Sequence, residues 1–151
     1  MNDMWKETDA AARSLGVQLH PAEVRGPDDL EGAFSRMARE RVDGLLLFPS
    51  TLLFNERGRI VALAARHRIP TMFNAREFVA IGGLIGYGAS IADLTRRSAI
   101  YVDKILKGAK PGDLPVEQPT KFELAINLKA ARAFGITIPQ SLLLRADHVV
   151  D

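Results

Sequence analysis

At 151 residues, 47% of them hydrophobic and 25% charged, the chain has the size and balance of one ordinary globular domain. Its 20 basic and 18 acidic side chains are scattered, leave a formal net charge of +2 and form no long run of one sign, which excludes a basic arm for nucleic acid. Without cysteine there is neither a disulfide nor a thiolate metal site, and the longest apolar runs, Gly44 to Phe48 and Val79 to Ile85, fall far short of the roughly 18 residues of a membrane helix.

Trp5, Thr8, Ala12 and Leu15 keep to one helical face, and Gly16 stands where a left-handed residue ends such a helix. Val17 to Val24 alternates as a strand does, with Pro21 restricting it to an edge or a bulge. Gly26-Pro27-Asp28-Asp29 opens a helix with proline and carboxylates in its first turn, and Leu30, Phe34, Met37 and Ala38 are its expected buried stripe. Gly44 to Phe48 is a continuous apolar run, the pattern of a parallel strand covered on both faces. Phe54 to Arg68 is expected to be helical, with Ile60, Leu63, Ala64 and His67 facing the core, and Ile69 to Phe73 is a further buried strand. Gly82 to Gly88 suits a strand whose backbone passes close to a neighbour.

Ser90 with Asp93 starts a long helix, expected to bury Ile91, Leu94, Ser98, Val102 and Ile105 and to end near Gly108. Gly108 to Pro119 is a connector, Phe122 to Ile126 a strand, and Asn127 caps a helix that stops at Gly135. Ile138 to Asp151 reads as a tail. Strands alternating with helices predict an α/β fold: a parallel sheet with helices on both faces.

In open α/β sheets, ligands gather beyond the carboxyl ends of the strands. Three such places carry polar chemistry: Ser50 and Thr51 after the Leu-rich strand, Asn74, Arg76 and Glu77 after Thr71-Met72-Phe73, and Tyr87 and Gly88 at the end of the glycine-rich strand. Hydroxyls, an amide, a carboxylate, an aromatic face and a guanidinium able to grip a carboxylate in bidentate fashion suit a small zwitterionic or carboxylate-bearing solute. The plain alternative is that Ser50 and Ser90 cap helices and that Arg76 and Glu77 form a solvated pair. Gly86-Tyr87-Gly88 lacks the third glycine and the distant acidic residue of a dinucleotide site, so no cofactor is expected. His20, His67 and His148 stand far apart with no second ligand at metal spacing, so no metal is expected, and His67 reads as a satisfied core imidazole. Neither a Gly-x-Ser-x-Gly elbow nor a Walker loop occurs, and no enzyme is expected.

Longer motifs carry a resemblance. Trp5-Lys6-Glu7-Thr8, Val24-Arg25-Gly26-Pro27-Asp28-Asp29, Arg76-Glu77-Phe78, the run from Tyr101 to Pro111, the run from Leu114 to Leu124 and Ile126-Asn127-Leu128-Lys129 resemble the TrpX-like, tryptophan/tyrosine type of ABC transport system substrate-binding proteins, over essentially the whole chain. The resemblance implies a type I periplasmic-binding fold in which two lobes close on a solute and present it to a membrane permease. It implies an incomplete two-lobe architecture here: residues 1–80 as second-lobe segment lacking its first strand, 81–115 as crossover strand and helix returning to the first lobe, and 116–151 as crossover back with the carboxyl-terminal tail. Ser50, Thr51, Asn74, Arg76, Glu77, Tyr87 and Gly88 would then face the cleft, with Tyr87 and Gly88 near a hinge.

The same resemblance implies a periplasmic location, although Met1 to Glu7 lacks the basic and apolar regions of a secretory signal. The expected partners are a small solute such as an amino acid and an ABC permease, with no nucleic acid, and with self-association through exposed sheet edges. The effector domain of a transcription regulator shares the fold and is the alternative.

Overall fold

A computed structural model describes residues 3–151. In chain order it contains α1 (Asp3–Leu15), α2 (Asp29–Arg39), β1 (Leu45–Leu46), α3 (Thr51–Asn55), α4 (Arg57–His67), β2 (Thr71–Phe73), α5 (Arg76–Ala80), β3 (Ile85–Ala89), α6 (Ile91–Leu106), a single 3-10 turn (Pro111–Asp113), β4 (Phe122–Asn127), α7 (Leu128–Phe134), α8 (Gln140–Leu143) and β5 (His148–Val150). The five strands form one sheet in sequence order. Three of its four pairings are parallel, and β3 with β4 is antiparallel. The chain leaves β3, runs out along α6 and returns through residues 107–121, so β4 enters from the end at which β3 leaves. The parallel sheet expected from the alternation is present and mainly parallel, with the one antiparallel pairing at β3 and β4.

Local signals set the helix ends. Gly16 and Gly135 take positive φ values of 69° and 70° where α1 and α7 stop. The Ser90 hydroxyl accepts from Asp93 N–H at 3.3 Å, and the Asn127 side-chain oxygen accepts from Ala130 N–H at 2.8 Å, which caps α6 and α7. Asp29, the first residue of α2, instead reaches back to the chain that enters the helix. Its carboxylate accepts from the backbone N–H of Arg25 at 2.8 Å and of Gly26 at 3.0 Å, and these bonds hold its pKa below the ordinary 3.8.

The core lies on one face. Leu30, Phe34 and Met37 of α2 meet Ile60, Leu63 and Ala64 of α4, with Leu47, Phe73 and Phe78 beneath. Phe73 and Phe78 stack at 4.6 Å, and Phe54 of α3 meets Phe78 edge-on at 5.9 Å. Ala33, not Ala38, completes the α2 stripe. The opposite face is thinly covered. Leu46, Met72, Ile85, Ile126 and Val149 stand in register across all five strands, yet Leu46 and Val149 are about half exposed and only Ile126 is fully buried. The Gly44 to Phe48 run is thus a two-residue strand covered on one side, not a strand buried on both.

Four further expectations are corrected. Val17 to Val24 forms no strand: β1 has no outer neighbour among the described residues, Pro21 offers no donor, and Ala22 and Val24 instead pack on the core as irregular chain. Ile138 to Asp151 is no loose tail, because α8 leads into β5, and Asp147 exchanges bonds with Leu124 through its N–H and its carboxylate, at 2.8 Å each. The α6 stripe is not buried. Ile91 and Val102 are about half exposed, because among the described residues only the returning strap lies against this helix, tied by Tyr101 Oη–H to Pro115 O and by Arg97 to Glu117. His67 stacks on Phe34, but its Nε2 finds no hydrogen-bond partner, so it is not a satisfied imidazole.

Two outcomes follow for urea denaturation. Phe78→Ala removes a fully buried ring and should cost about 3–5 kcal/mol, whereas Val102→Ala on open α6 should stay within about 0.5 kcal/mol. Since the native pKa of Asp29 is depressed, its contribution is complete above the ordinary 3.8 and is lost as pH falls through the lower native value. Asp29→Asn should flatten the acid limb of the stability profile in the window between the ordinary 3.8 and the lower native value, and an unchanged limb would refute the assignment.

Candidate functional site at the carboxyl end of the sheet

β2 ends at Phe73, and Asn74-Ala75 turns the chain into α5. This turn lies directly on β3 because β3 carries glycine there. A Cβ at Gly86 would stand 2.6 Å from the Ala75 carbonyl oxygen, and one at Gly88 only 1.8 Å from that of Asn74. Gly88 is paired across the antiparallel ladder with Glu123, and paired residues project to one face. Glu123 therefore projects to the side on which Arg76 begins α5. Arg76 Nε is 3.5 Å from Glu123 Oε2 and 3.9 Å from Glu77 Oε1. On the next strand, Ala125 pairs with His148, whose Nε2 is 3.9 Å from Glu123 Oε2 and 3.1 Å from Arg76 Nη1. Lys121 Nζ approaches the other carboxylate oxygen at 3.8 Å.

Glu123 is buried, and a carboxylate taken from water without compensation is costly. Arg76 and Lys121 supply the compensating charge. At 3.5 Å the Arg76 contact is an ion pair and not a tight hydrogen bond. A guanidinium only donates, so the 3.1 Å contact makes His148 Nε2 an acceptor and puts the ring proton on Nδ1. The carboxylate, 3.9 Å from the same nitrogen, is too far to reverse that assignment. Arg76 Nη2 has no hydrogen-bond partner among the described residues, and the side chain is 40% exposed.

The structure brings Asn74, Arg76, Glu77 and Gly88 together. Tyr87 sits on the opposite face of β3 from Gly88, half exposed and stacked on Phe122 at 5.9 Å. Ser50 and Thr51 are exposed beyond β1 and make no hydrogen bond to the others among the described residues, and Ser50 does not cap α3. Two surface hollows of about 350 and 420 Å³ lie elsewhere, one between α6 and the strap and one around Arg25, Asp29 and Arg36, and neither is lined by any of the seven residues. The site is an open wall. Sequence reasoning missed Glu123 and His148. A signal for Glu123 was present, a carboxylate at an inward position of the alternating strand Phe122 to Ile126, but His148 lay in what read as a tail.

A mainly parallel α/β sheet with helices and with polar groups gathered at its carboxyl end defines a periplasmic-binding-protein-like fold, and solved structures agree. A conserved domain protein from Vibrio cholerae O1 biovar eltor str. N16961 is 26% identical with a TM-score of 0.88, matching 97% of this chain and 49% of its own. An ABC domain in complex with L-Trp from Streptococcus pneumonia is 27% identical with a TM-score of 0.86, matching 96% and 50%. A ligand-free, open substrate binding protein with adhesive properties from Clostridium difficile shares the fold at 18% identity and a TM-score of 0.62, matching 96% and 48%. The chain thus spans about half the length of these structures. No curated protein matches it. The chain belongs to the ABC transporter substrate binding protein family, whose model matches residues 2–150.

Gly88→Ala should force the Asn74 carbonyl away and cost about 1–3 kcal/mol in urea denaturation, whereas Gly112→Ala, with open space around it, should change little. The amide signals of Asn74, Arg76 and Glu123 should shift in the first variant alone.

Proposed function

We propose that this chain forms the solute-receiving wall of a binding protein that delivers a small carboxylate-bearing solute, such as an amino acid, to an ABC importer. The observation that carries the reading is the similar structure from Streptococcus pneumonia, which holds L-Trp. The family is one of binding proteins and not of enzymes. The wall in this reading is Asn74, Arg76, Glu77 and Gly88 with Ser50 and Thr51 at its rim, while Tyr87, turned to the other face, belongs to the connection between lobes. Support comes from the half-exposed Arg76, whose unpartnered Nη2 suits a carboxylate.

The reading places the protein outside the cytoplasm beside its permease. It takes residues 81–115 as a crossover strand, β3, and a helix, α6, returning toward the other lobe, in keeping with an α6 that has no buried residue. Exposed strand edges and the bare α6 face also favour self-association of isolated chains.

Solute pockets bury most of their ligand between facing surfaces, so a single wall should bind weakly, with half-saturation on the order of millimolar. Titration of the labelled chain with L-tryptophan should produce saturable amide shifts centred on Asn74, Arg76, Glu77 and Gly88. No shift at saturating solute would end the reading, and submicromolar affinity would contradict the single wall.

A further inference from the structure

We propose that Glu123 and His148 are positioning residues that hold the Arg76 guanidinium so that its Nη2 edge faces the solute. The solute-facing half of this statement rests on the function proposed above, whereas the ordering of Arg76 stands on the geometry alone.

An arginine on a short helix ordinarily samples many rotamers, and its side-chain entropy opposes a fixed grip. Here two strands restrain it from behind. Glu123, buried on β4, sets a negative charge 3.5 Å from Nε, and His148 on β5 accepts from Nη1 at 3.1 Å. These two contacts engage Nε and Nη1 and leave Nη2 without a hydrogen-bond partner among the described residues. Glu77 stands 3.9 Å from Nε, but it is a third exposed and belongs to the same short helix, so it restrains orientation less. Glu123 cannot serve as a solute ligand itself, since its carboxylate is buried among Arg76, Lys121 and His148. Its charge offsets the guanidinium, so the wall carries no uncompensated cation before the solute arrives. A guanidinium fixed in advance loses less freedom on binding, which is the advantage of preorganisation.

The test uses the whole chain labelled with nitrogen-15. Long-range proton–nitrogen correlation should find the His148 proton on Nδ1 with Nε2 bare. The Nε–H of Arg76 should show a high heteronuclear NOE, unlike that of exposed Arg145. In Glu123→Gln, with the backbone spectrum otherwise retained, that NOE should fall toward the Arg145 value, and Glu123→Asp, which keeps the charge, should restore part of it. Affinity for L-tryptophan should drop about tenfold in Glu123→Gln, while tryptamine, which lacks the carboxylate, should change less than about twofold.

A folded Glu123→Gln variant with Arg76 as ordered as before, or a His148 proton on Nε2, would overturn the proposal. Should Glu123→Gln fail to fold, His148→Ala at a partly exposed position supplies the same reading, and unchanged Arg76 order there would be equally decisive. If L-tryptophan does not bind the unaltered chain at all, the solute reading fails while the spectra still decide what orders Arg76.

Discussion

Gly86 and Gly88 leave no side chain between β3 and the turn that follows β2, and the backbone of Asn74 and Ala75 fills that space. The approach draws α5 down onto the sheet, where Phe78 and Val79 become fully buried and Phe78 stacks on Phe73. The same descent carries Arg76 over β4, within reach of the residue paired with Gly88. Packing and charge placement therefore share one cause. A side chain at either glycine would lift the turn, loosen the aromatic stack and separate the ion pair together.

The molecule is strongly one-sided. Its core lies beneath α2, α4 and α5, while the in-register apolar row on the other face and the length of α6 remain largely uncovered. Exposed apolar surface of this kind is what the proposed self-association would cover. The chain spans about half the length of the structures it resembles. Hydrophobic burial, the dominant favourable term in folding, is thus concentrated in about half of the elements.

At the carboxyl end of the sheet, charge is arranged behind the surface and not only on it. The pairs facing Glu123 sit in lower dielectric than an exposed pair and are screened less by salt. Surface pairs such as Lys107 with Asp103 contribute little by comparison. In the wall proposed above, an arginine tethered from behind would present the same donors to each arriving carboxylate.

Local chemistry was legible in the amino-acid order. Caps at Ser90 and Asn127, stops at Gly16 and Gly135, the apolar stripe of Leu30, Phe34 and Met37, and a glycine-rich strand pressed against its neighbour all depend on residues close in sequence, and each was read correctly. Pairing and cover belonged to the tertiary structure. Val17 to Val24 has the composition of a strand but no neighbour to bond, His148 joins a strand only because β4 offers it an edge, and α6 has an amphipathic face that the returning strap leaves largely exposed. Glu123 meets Arg76 through an antiparallel register that no local pattern encodes. Sequence specifies what a segment is able to do within one or two turns of itself, and the three-dimensional fold decides which distant backbone groups are present to complete it.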